Sequence, residues 1–498
     1  MTSIPFGSSA AHERVRIAER VRRWSAPLIA LLAATLALSC VVSLTLMFRH
    51  GLAHLALRGD GFVGWAAVGS LLSVGVAVAV VALIDTTGCG PALSLSPVAA
   101  LLGLTLADDV RPGLPTGLTL GLLGVAVGGL LGGAWAMTFE LPSRWARLVA
   151  AACCLPVVAI WPVLAKVSPR DPGGLALTVQ PSAWLTGAVA VLLVAWSVLT
   201  MLLEPALRAP EESAAAFSTG VKRPVWNQTG GVLLMVAAPL LVVAVAGFTA
   251  SPSPSPRAWL RPLILVTAAV TALGWTWAAS RMTDSLVRLA LLPAALIVAT
   301  LPTLVQLAVE VSDAGSVHVH AWSVGLEVSA ATAGAAVTVI ASARGRVRSV
   351  LAPSLLIYAA ATAGLWMLPT RPWLMTVALT PLLLAGAAVL TACAIIAVNG
   401  SHVGLPIGVA VLGALLLGLL LSLPVTWAVG GEVPISAVGE LQAVGRGLLG
   451  ITFAAGVVLA AYTEVLASRL RRTPEIDSVL LGGPSQKGAR KSSSVYAQ

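Results

Sequence analysis

The stretch LPTGLTLGLLGVAVGGLLGGAWAMT, residues 114–138, contains no charged residue. A helix that crosses a bilayer needs about 20 consecutive apolar residues, and this stretch is long enough to form one. Comparable apolar runs recur along the whole chain. They fall at about 26–48, 62–84, 90–107, 147–166, 183–205, 230–250, 258–278, 286–309, 321–342, 349–368, 372–397, 403–429 and 441–467. The sequence therefore predicts an all-α integral membrane protein with about 14 transmembrane helices.

The composition excludes a soluble globular protein. Hydrophobic residues make up 58% of the 498 positions, and charged residues make up 10%. A soluble domain carries roughly 25% charged residues because its surface faces water. The formal net charge of +10 comes from basic residues at the chain ends and in short loops. This distribution is typical of membrane topology, so we expect no nucleic-acid partner.

The distribution of basic residues also predicts the orientation. With the amino terminus inside, most of the 30 Lys and Arg residues fall in cytoplasmic segments, as the positive-inside rule requires. An even helix count then places both termini in the cytoplasm. Arginine greatly outnumbers lysine, and Ala, Gly, Val and Leu dominate, as in GC-rich bacterial genomes. We therefore expect a multi-pass protein of a bacterial plasma membrane.

The predicted spans divide into two pseudo-symmetric six-helix halves with an extra central pair. In chain order we expect a basic cytoplasmic amino terminus (1–25), an N-terminal half (26–205), a cytoplasmic linker (206–229), the extra helix pair (230–278), a C-terminal half (286–467) and a disordered basic cytoplasmic tail (468–498). An internal repeat supports this division, because Gly88 follows Trp65 at the spacing at which Gly345 follows Trp322. Duplicated transporter folds produce such matches between their halves.

A short loop after the second span carries a partial motif. It reads Leu-Ile-Asp-Thr-Thr-Gly at 83–88. This stretch resembles the signature Gly-x-Leu-x-Asp-x-x-Gly of the major facilitator superfamily, in particular of its 14-helix drug:proton antiporter branch. Leucine, aspartate and glycine stand in register, whereas the basic residues that follow in the family are missing. The counterpart at 343–348, Ala-Arg-Gly-Arg-Val-Arg, keeps the basic part and has lost the acid.

The resemblance implies a cytoplasmic gate in these two loops. The candidate gate residues are Asp85, Gly88, Arg344, Gly345, Arg346 and Arg348. A gate carboxylate needs a cationic partner, and Arg144 or Arg147 in the next inner loop would supply one for Asp85. The alternative is that Asp85 is a solvated loop acid.

A glycine-rich run occupies the quoted stretch. It consists of Gly124, Gly128, Gly129, Gly132 and Gly133. It partly matches the family's antiporter motif Gly-x-x-x-Gly-Pro-x-x-Gly-Gly, although glycine replaces the proline and the run lies on the fourth span instead of the fifth. Small residues four apart let two helices approach closely in lipid. Close packing and a hinge for alternating access are both compatible with this pattern.

Two charged residues lie inside predicted spans. Glu327 is about 9 Å deep in the tenth span at 1.5 Å per residue. A carboxylate at such a depth is protonated, paired or in contact with water, so Glu327 is a candidate proton-coupling group. A structural pair or an interfacial position is the alternative. Arg446 lies similarly deep in the last span and is a candidate partner for Glu327.

The resemblance further implies that the first, fourth, ninth and twelfth spans line a central cavity. The candidate lining residues are Thr300, Thr303, Gln306, Thr376 and Thr380. Such a lining is weakly polar and uncharged, which suits hydrophobic or amphipathic cargo. Isolated threonines also bond to the backbone of their own helix, which is the alternative for each of them.

These features together predict a secondary transporter that exports an amphipathic compound, with proton coupling as a hypothesis. No nucleotide-binding loop is visible, and we expect no cofactor, no metal and no enzymatic activity. A non-transporting scaffold in envelope assembly, with a degenerate transporter fold, is the main alternative. A lipid-modifying membrane enzyme is a third hypothesis, and it would depend on Asp108 and Asp109.

Overall fold

The structure is a computed structural model of the full chain. It describes residues 20, 25–37, 40, 65, 68–69, 71–73, 75–77, 79–80, 90–107, 114–138, 141, 143–166, 187, 191, 194–195, 290, 292–294, 296–297, 300–301, 304–305, 321–366, 372–399 and 436–471. Within these residues all regular secondary structure is helical.

Seven complete helices are described. They are α1 (Gly90–Ala107), α2 (Leu114–Thr138), α3 (Ser143–Lys166), α4 (Ala321–Ala343), α5 (Arg348–Trp366), α6 (Pro372–Asn399) and α7 (Ser436–Arg471). In the described part of the chain, 4 helices are long and apolar enough to cross a membrane, namely segments of α2, α4, α5 and α6. The prediction of an all-helical, multi-pass membrane protein is therefore confirmed.

The helix boundaries follow the predicted runs closely, with two differences. Helix α3 begins at Ser143, before the predicted start at 147. Helix α7 is 36 residues long and extends past both ends of its predicted run. A helix can continue past the hydrocarbon layer, because its backbone hydrogen bonds stay satisfied where the apolar pattern ends. The total of 14 helices and the division at 206–229 and 230–278 stay predictions, since several of these runs lie outside the described residues.

Among the described helices, α3 connects the two predicted halves. In the N-terminal half, α1 packs on α2, and α2 contacts α3. In the C-terminal half, α4 and α5 both pack on α6, and α7 packs on α5. Helix α3 contacts α4 and α6, so one helix of the first half lies against two helices of the second. Helix α6 is buried along nearly its whole length, whereas α4 exposes one face.

Glycines on two faces of α2 allow neighbouring helices to approach closely. A Cβ at Gly124 would overlap the carbonyl of Gly69, and one at Gly128 would overlap the carbonyl of Ser73. A Cβ at Gly132 would lie 3.1 Å from the Cα of Ala77. This stripe therefore seats the predicted second span (62–84) directly against the α2 backbone, as small residues permit in lipid.

The second glycine face of α2 receives α1. A Cβ at Gly129 would overlap Oγ of Ser96, and one at Gly133 would lie 2.9 Å from Cδ2 of Leu93. All five glycines of the run thus meet a neighbouring helix. A hinge at these positions stays a prediction.

A similar close approach occurs in the C-terminal half. A Cβ at Gly334 on α4 would overlap the backbone carbonyl of Leu384 on α6. Gly334 stands at the same distance in sequence from Trp322 as Ala77 stands from Trp65, and Ala77 is the residue that faces Gly132. Aligned on the two tryptophans, equivalent positions in the two halves therefore make close helix contacts, although the glycine lies on different helices.

Candidate functional site

The buried face of α4 carries a polar stripe. Ser323, Glu327, Thr338 and Ser342 are all buried on the inner face of this helix. They recur at helical spacing, with small residues between them. The opposite face is exposed, and its hydroxyls at Ser329 and Thr332 bond to their own backbone. The inner face of α4 thus places polar groups along almost its whole length.

Glu327 is the charged member of this stripe. Its side chain is 0% exposed, and it takes part in an interaction within the protein. It lies inside the segment Ser323–Ala343, which is long and apolar enough to span a membrane. Placing a charged carboxylate at the centre of a membrane span costs about 3 kcal/mol of free energy. We therefore expect the Glu327 carboxylate to be paired or protonated.

The register of α4 on α6 shows which residues of α6 lie closest to Glu327 along the helix axis. Gly334 faces Leu384 and Ala388, and Thr338 reaches Ala388, so the two helices run parallel. Glu327 precedes Gly334 by two helical turns, about 10 Å along the axis. The candidate cavity residue Thr376 lies about two turns before Leu384 on α6, and the candidate Thr380 lies about one turn before it.

The two threonines on α6 have different environments. Thr376 is buried, and Thr380 is half-buried. The Thr380 hydroxyl donates to the carbonyl of Thr376 at 2.7 Å, so it satisfies its own helix backbone. Both residues stay candidates for the cavity lining, Thr376 at about the level of Glu327 and Thr380 about one turn further along α6.

Thr338 connects α4 to α6 by hydrogen bonds. Its hydroxyl lies 3.0 Å from the carbonyl of Gly334 and 3.3 Å from the carbonyl of Ala388, and it donates toward both. The side chain is fully buried. This contact lies beside the glycine approach described above and fixes the relative register of the two helices.

The stripe ends at a contact between the two halves. Nη1 of Arg147 on α3 donates to Oγ of Ser342 on α4 at 3.4 Å. Arg147 was a predicted partner of Asp85, which lies outside the described residues together with Gly88. That pairing therefore stays a prediction. The structure brings Arg147 to the end of α4, immediately before the loop with the candidate gate arginines.

The loop after α4 has a defined helix-capping geometry. The amide of Arg346 donates to the carbonyl of Ala341 at 2.8 Å, and that of Gly345 donates to the carbonyl of Ser342 at 3.0 Å. These two bonds form a Schellman motif. Gly345 has φ of 69°, a left-handed conformation that glycine adopts without strain. The loop is therefore a compact turn that leads directly into α5.

The turn presents its basic side chains at one end of the bundle. Arg344 and Arg346 are exposed, whereas Arg348 at the start of α5 is half-buried. Across the interface, Arg144 is exposed beside its neighbour Trp145, with its guanidinium 5.9 Å from the ring centroid. Arginines from both halves are thus gathered at the junction of α3 and α4.

Thr300 points toward another helix. Its hydroxyl lies 2.8 Å from the Tyr358 hydroxyl on α5 and 2.7 Å from the carbonyl of Leu296. Tyr358 is fully buried, and Gly386 on α6 leaves room for its ring. The candidate cavity residue therefore links two helices of the C-terminal half through a buried hydrogen bond.

The remaining predicted residues are only partly described. Thr303, Gln306, Asp108 and Asp109 lie outside the described residues. Arg446 lies within α7, but its side chain is outside the described part, so its pairing with Glu327 stays a hypothesis. Among the described residues, no group of three or more His, Cys, Asp or Glu side chains is arranged to hold a metal ion.

Three residues of this site were not predicted from the sequence. Ser342, Thr338 and Tyr358 are ordinary residue types for a membrane helix, so composition does not single them out. The Arg147–Ser342 contact joins positions 195 apart in the chain, and no local pattern indicates it. The helical spacing of Thr338 and Ser342 from Glu327 was the one available signal.

Comparison with known proteins identifies the fold. No family model matches the sequence, and no curated protein is similar to it. The human organic anion transporter MFSD10 (TETRAN) is a similar solved structure, with a TM-score of 0.52, 15% identity and coverage of 87% of this chain and 99% of that one. A point mutant of the peptide transporter POT has a TM-score of 0.51 at 11% identity, covering 88% and 94%. Its complex with alafosfalin has a TM-score of 0.50 at 11% identity, covering 89% and 95%.

The likeness to these solved structures concerns the fold. The chain shares their fold over most of its length and over nearly all of theirs. At these identities the likeness concerns the fold alone. Membership of the major facilitator superfamily, and of its 14-helix drug:proton antiporter branch, stays a hypothesis.

Proposed function

We propose that this chain is a secondary transporter that exports a hydrophobic or amphipathic compound and uses Glu327 to couple export to protons. One observation carries the proposal: a carboxylate with no solvent exposure lies inside a span-length helix at the interface of the two halves. Intramembrane carboxylates are expensive to retain, and proton relays are a common reason for them. The fold supports the same interpretation, because similar structures are transporters.

The expected cargo follows from the composition of the site. The candidate lining near Glu327 consists of Thr376, at about its level, and Thr380, about one turn further along α6, among apolar residues. Such a surface offers few hydrogen-bonding groups, so it suits a compound with a large apolar part. A single acid among them would favour a cationic or protonatable compound.

The coupling step requires only a change in the protonation of Glu327. A proton bound from the acidic side neutralises the carboxylate, and neutralisation removes the cost of its burial when the halves rearrange. Release of the proton on the other side restores the charge. Cargo that interacts with the charged form would then move in the opposite direction to the proton.

The test is transport in inverted membrane vesicles. A panel of lipophilic cations and lipids is offered to the wild type, with and without a proton gradient, and accumulation is measured. We expect gradient-dependent accumulation in the wild type and background accumulation in Glu327→Gln. Glu464→Gln is the matched control, because Glu464 is an exposed carboxylate on α7.

Two other outcomes have defined meanings. Equal transport by the wild type and Glu327→Gln would remove the coupling role and leave a uniporter. A folded wild-type protein that moves none of the compounds would favour the scaffold hypothesis. One observation favours the scaffold hypothesis. Compared with the family signature, the loop at 83–90 lacks the basic residues and the loop at 343–348 lacks the acid.

A further inference from the structure

We propose that the hydroxyls of Thr391 on α6 and Ser342 on α4 together bind one buried water molecule. The site lies at the end of the bundle where α3 contacts α4, directly beside the bond between Arg147 and Ser342. It is separate from Glu327, which stands about four helical turns before Ser342 on α4. The inference rests on packing and hydrogen bonding, so it is independent of whether the protein transports.

Thr391 is an exception among the buried threonines of the described helices. Its side chain is 0% exposed, and in the described part of the chain its Oγ1 has no hydrogen-bond partner. Other buried threonines donate to a carbonyl of their own helix, as Thr138, Thr338, Thr362 and Thr463 do. Leaving a buried hydroxyl unbonded is costly, so such groups nearly always bond to the protein or to ordered water. The Thr391 hydroxyl therefore requires a partner small enough to enter this interface.

Ser342 has an unused donor on the facing helix. Its Oγ accepts a hydrogen bond from Nη1 of Arg147 at 3.4 Å, and this is the one bond of its side chain among the described residues. An arginine side chain can only donate, so Ser342 uses a lone pair in this bond and keeps its own O–H as a donor. The side chain is buried. Like the Thr391 hydroxyl, the Ser342 proton therefore needs a partner inside the protein.

The two hydroxyls lie at about the same level of the interface between α4 and α6. Oγ1 of Thr338 lies 3.3 Å from the carbonyl of Ala388, so these residues mark one point at which the parallel helices touch. Ser342 follows Thr338 by about one turn, and Thr391 follows Ala388 by about one turn. Residues three or four apart share a helix face, so both hydroxyls stay on the faces that meet. Thr391 makes no direct bond to Ser342, and a bridging molecule is needed to connect them.

A water molecule has the size and the chemistry that this site requires. It accepts the proton of Ser342, and it donates to Oγ1 of Thr391 and to the remaining lone pair of Thr338. Buried waters typically make about three such bonds. The neighbouring residues Ala388 and Ala392 are buried and short, which leaves space beside the hydroxyls for a small molecule. Because α6 is buried along nearly its whole length, a larger ligand does not reach the site.

The water connects the contact between the two predicted halves to the packing of α6. When Ser342 donates to the water, its lone pairs are directed toward Arg147. Thr391 thereby supports a bond in which it takes no direct part. The bound water thus stabilises the conformation in which α3 and α4 touch at this end.

Thermal unfolding of the full-length protein in one detergent tests the site through the sign of a substitution. Valine has the shape of threonine without the hydroxyl. We expect Thr391→Val to lower the melting temperature by about 1–3 °C, because the water loses a partner and Ser342 loses its acceptor. Thr362→Val is the matched control. Thr362 is also fully buried, but its hydroxyl bonds to its own helix, so its loss should leave the melting temperature nearly unchanged.

A double-mutant cycle tests whether Thr391 and Ser342 share the same molecule. Ser342→Ala should lower the melting temperature further than Thr391→Val does, because it also removes the bond to Arg147. Combining the two substitutions should add little to the effect of Ser342→Ala, since the water is already lost. An experimental density map of the protein in nanodiscs, detailed enough to show ordered water, should contain a peak between the two hydroxyls. The same peak should be missing from Thr391→Val.

Several results would overturn the proposal. A higher melting temperature for Thr391→Val would mean that the hydroxyl is buried without any partner. A melting temperature as little changed as that of Thr362→Val would mean that Thr391 bonds to its own helix. Fully additive losses in the cycle, or a map with no peak between the hydroxyls, would mean that the two residues share no water.

Discussion

Tyr358 shows how a single residue in this protein serves a neighbouring helix. It is fully buried on α5, and its hydroxyl meets Thr300 at 2.8 Å. Thr300 also donates to Leu296 of its own helix, so Tyr358 is the donor in the shared bond. The phenol thus supplies a link between two helices.

We expect Tyr358→Phe to lower the free energy of unfolding by roughly 1 kcal/mol, because interhelical hydrogen bonds in membranes contribute about that much. Thr300→Val should have a similar effect, and the double variant should be little worse than either single variant. Thermal unfolding of the four proteins measures the coupling. Additive losses would show that the two hydroxyls do not depend on each other.

Thr300 also shows which property of a single residue could not be predicted from the sequence. The sequence predicted Thr300 as a polar residue on a cavity-lining helix, and it could not predict which way the hydroxyl points. Glu327 was identified from depth alone, because a charge among apolar residues is visible in any sequence. Its complete burial was not predictable from local sequence, because α4 packs against α3 and α6 and these helices lie elsewhere in the chain.

At the element scale, the glycines of α2 determine how closely its neighbours approach. Gly128 faces the carbonyl of Ser73, whereas Gly121 meets only Cδ1 of Leu72 at 3.7 Å, an ordinary contact. The two glycines lie on the same helix and differ only in the space beside them. They therefore offer a matched test of close packing.

We expect Gly128→Ala to destabilise the protein by about 1–3 kcal/mol, because its Cβ must push two backbones apart. Gly121→Ala should be neutral or slightly stabilising, since alanine is the better helix former. Thermal unfolding in one detergent compares the two variants directly. A loss of stability at both positions, of similar size, would contradict the close-packing interpretation of the stripe.

Helices as elements were the most predictable part of the structure. Charge-free runs such as 114–138 and 372–397 predicted α2 and α6, because lipid demands continuous apolar helices. Packing partners were less predictable, since the apolar surfaces of α2 and α6 show no marked amphipathic face. The glycine pattern indicated close packing, but it did not indicate that two different helices use Gly128 and Gly129.

At the scale of the whole molecule, the predicted repeat can be compared with the contacts between the described helices of the two predicted halves. Gly334 and Ala77 occupy equivalent positions relative to their tryptophans, and each lies at a close helix contact. Helix α3 is the described element of the first half that contacts α4 and α6 of the second. Any motion of one half relative to the other must therefore change the contact of Arg147 with Ser342.

A reversible cross-link across this contact tests whether the motion is needed. In a variant without the five native cysteines, Arg147→Cys and Ser342→Cys are joined by a bifunctional methanethiosulfonate of about arginine length. The arginine side chain itself spans this gap, so a linker of similar reach fits it. We expect the cross-link to abolish transport of the cargo found in vesicles, because rigid-body rearrangement of the halves is blocked.

The control cross-link lies within one half. Ser329→Cys with Thr332→Cys places both thiols about one turn apart on the exposed face of α4, away from the candidate gate residues. Cross-linking this pair should leave transport unchanged, and reduction should restore transport in the Arg147 and Ser342 pair. Full transport by a completely cross-linked Arg147 and Ser342 pair would mean that the halves do not separate at this end, and the alternating movement assumed for the fold would then be wrong for this protein.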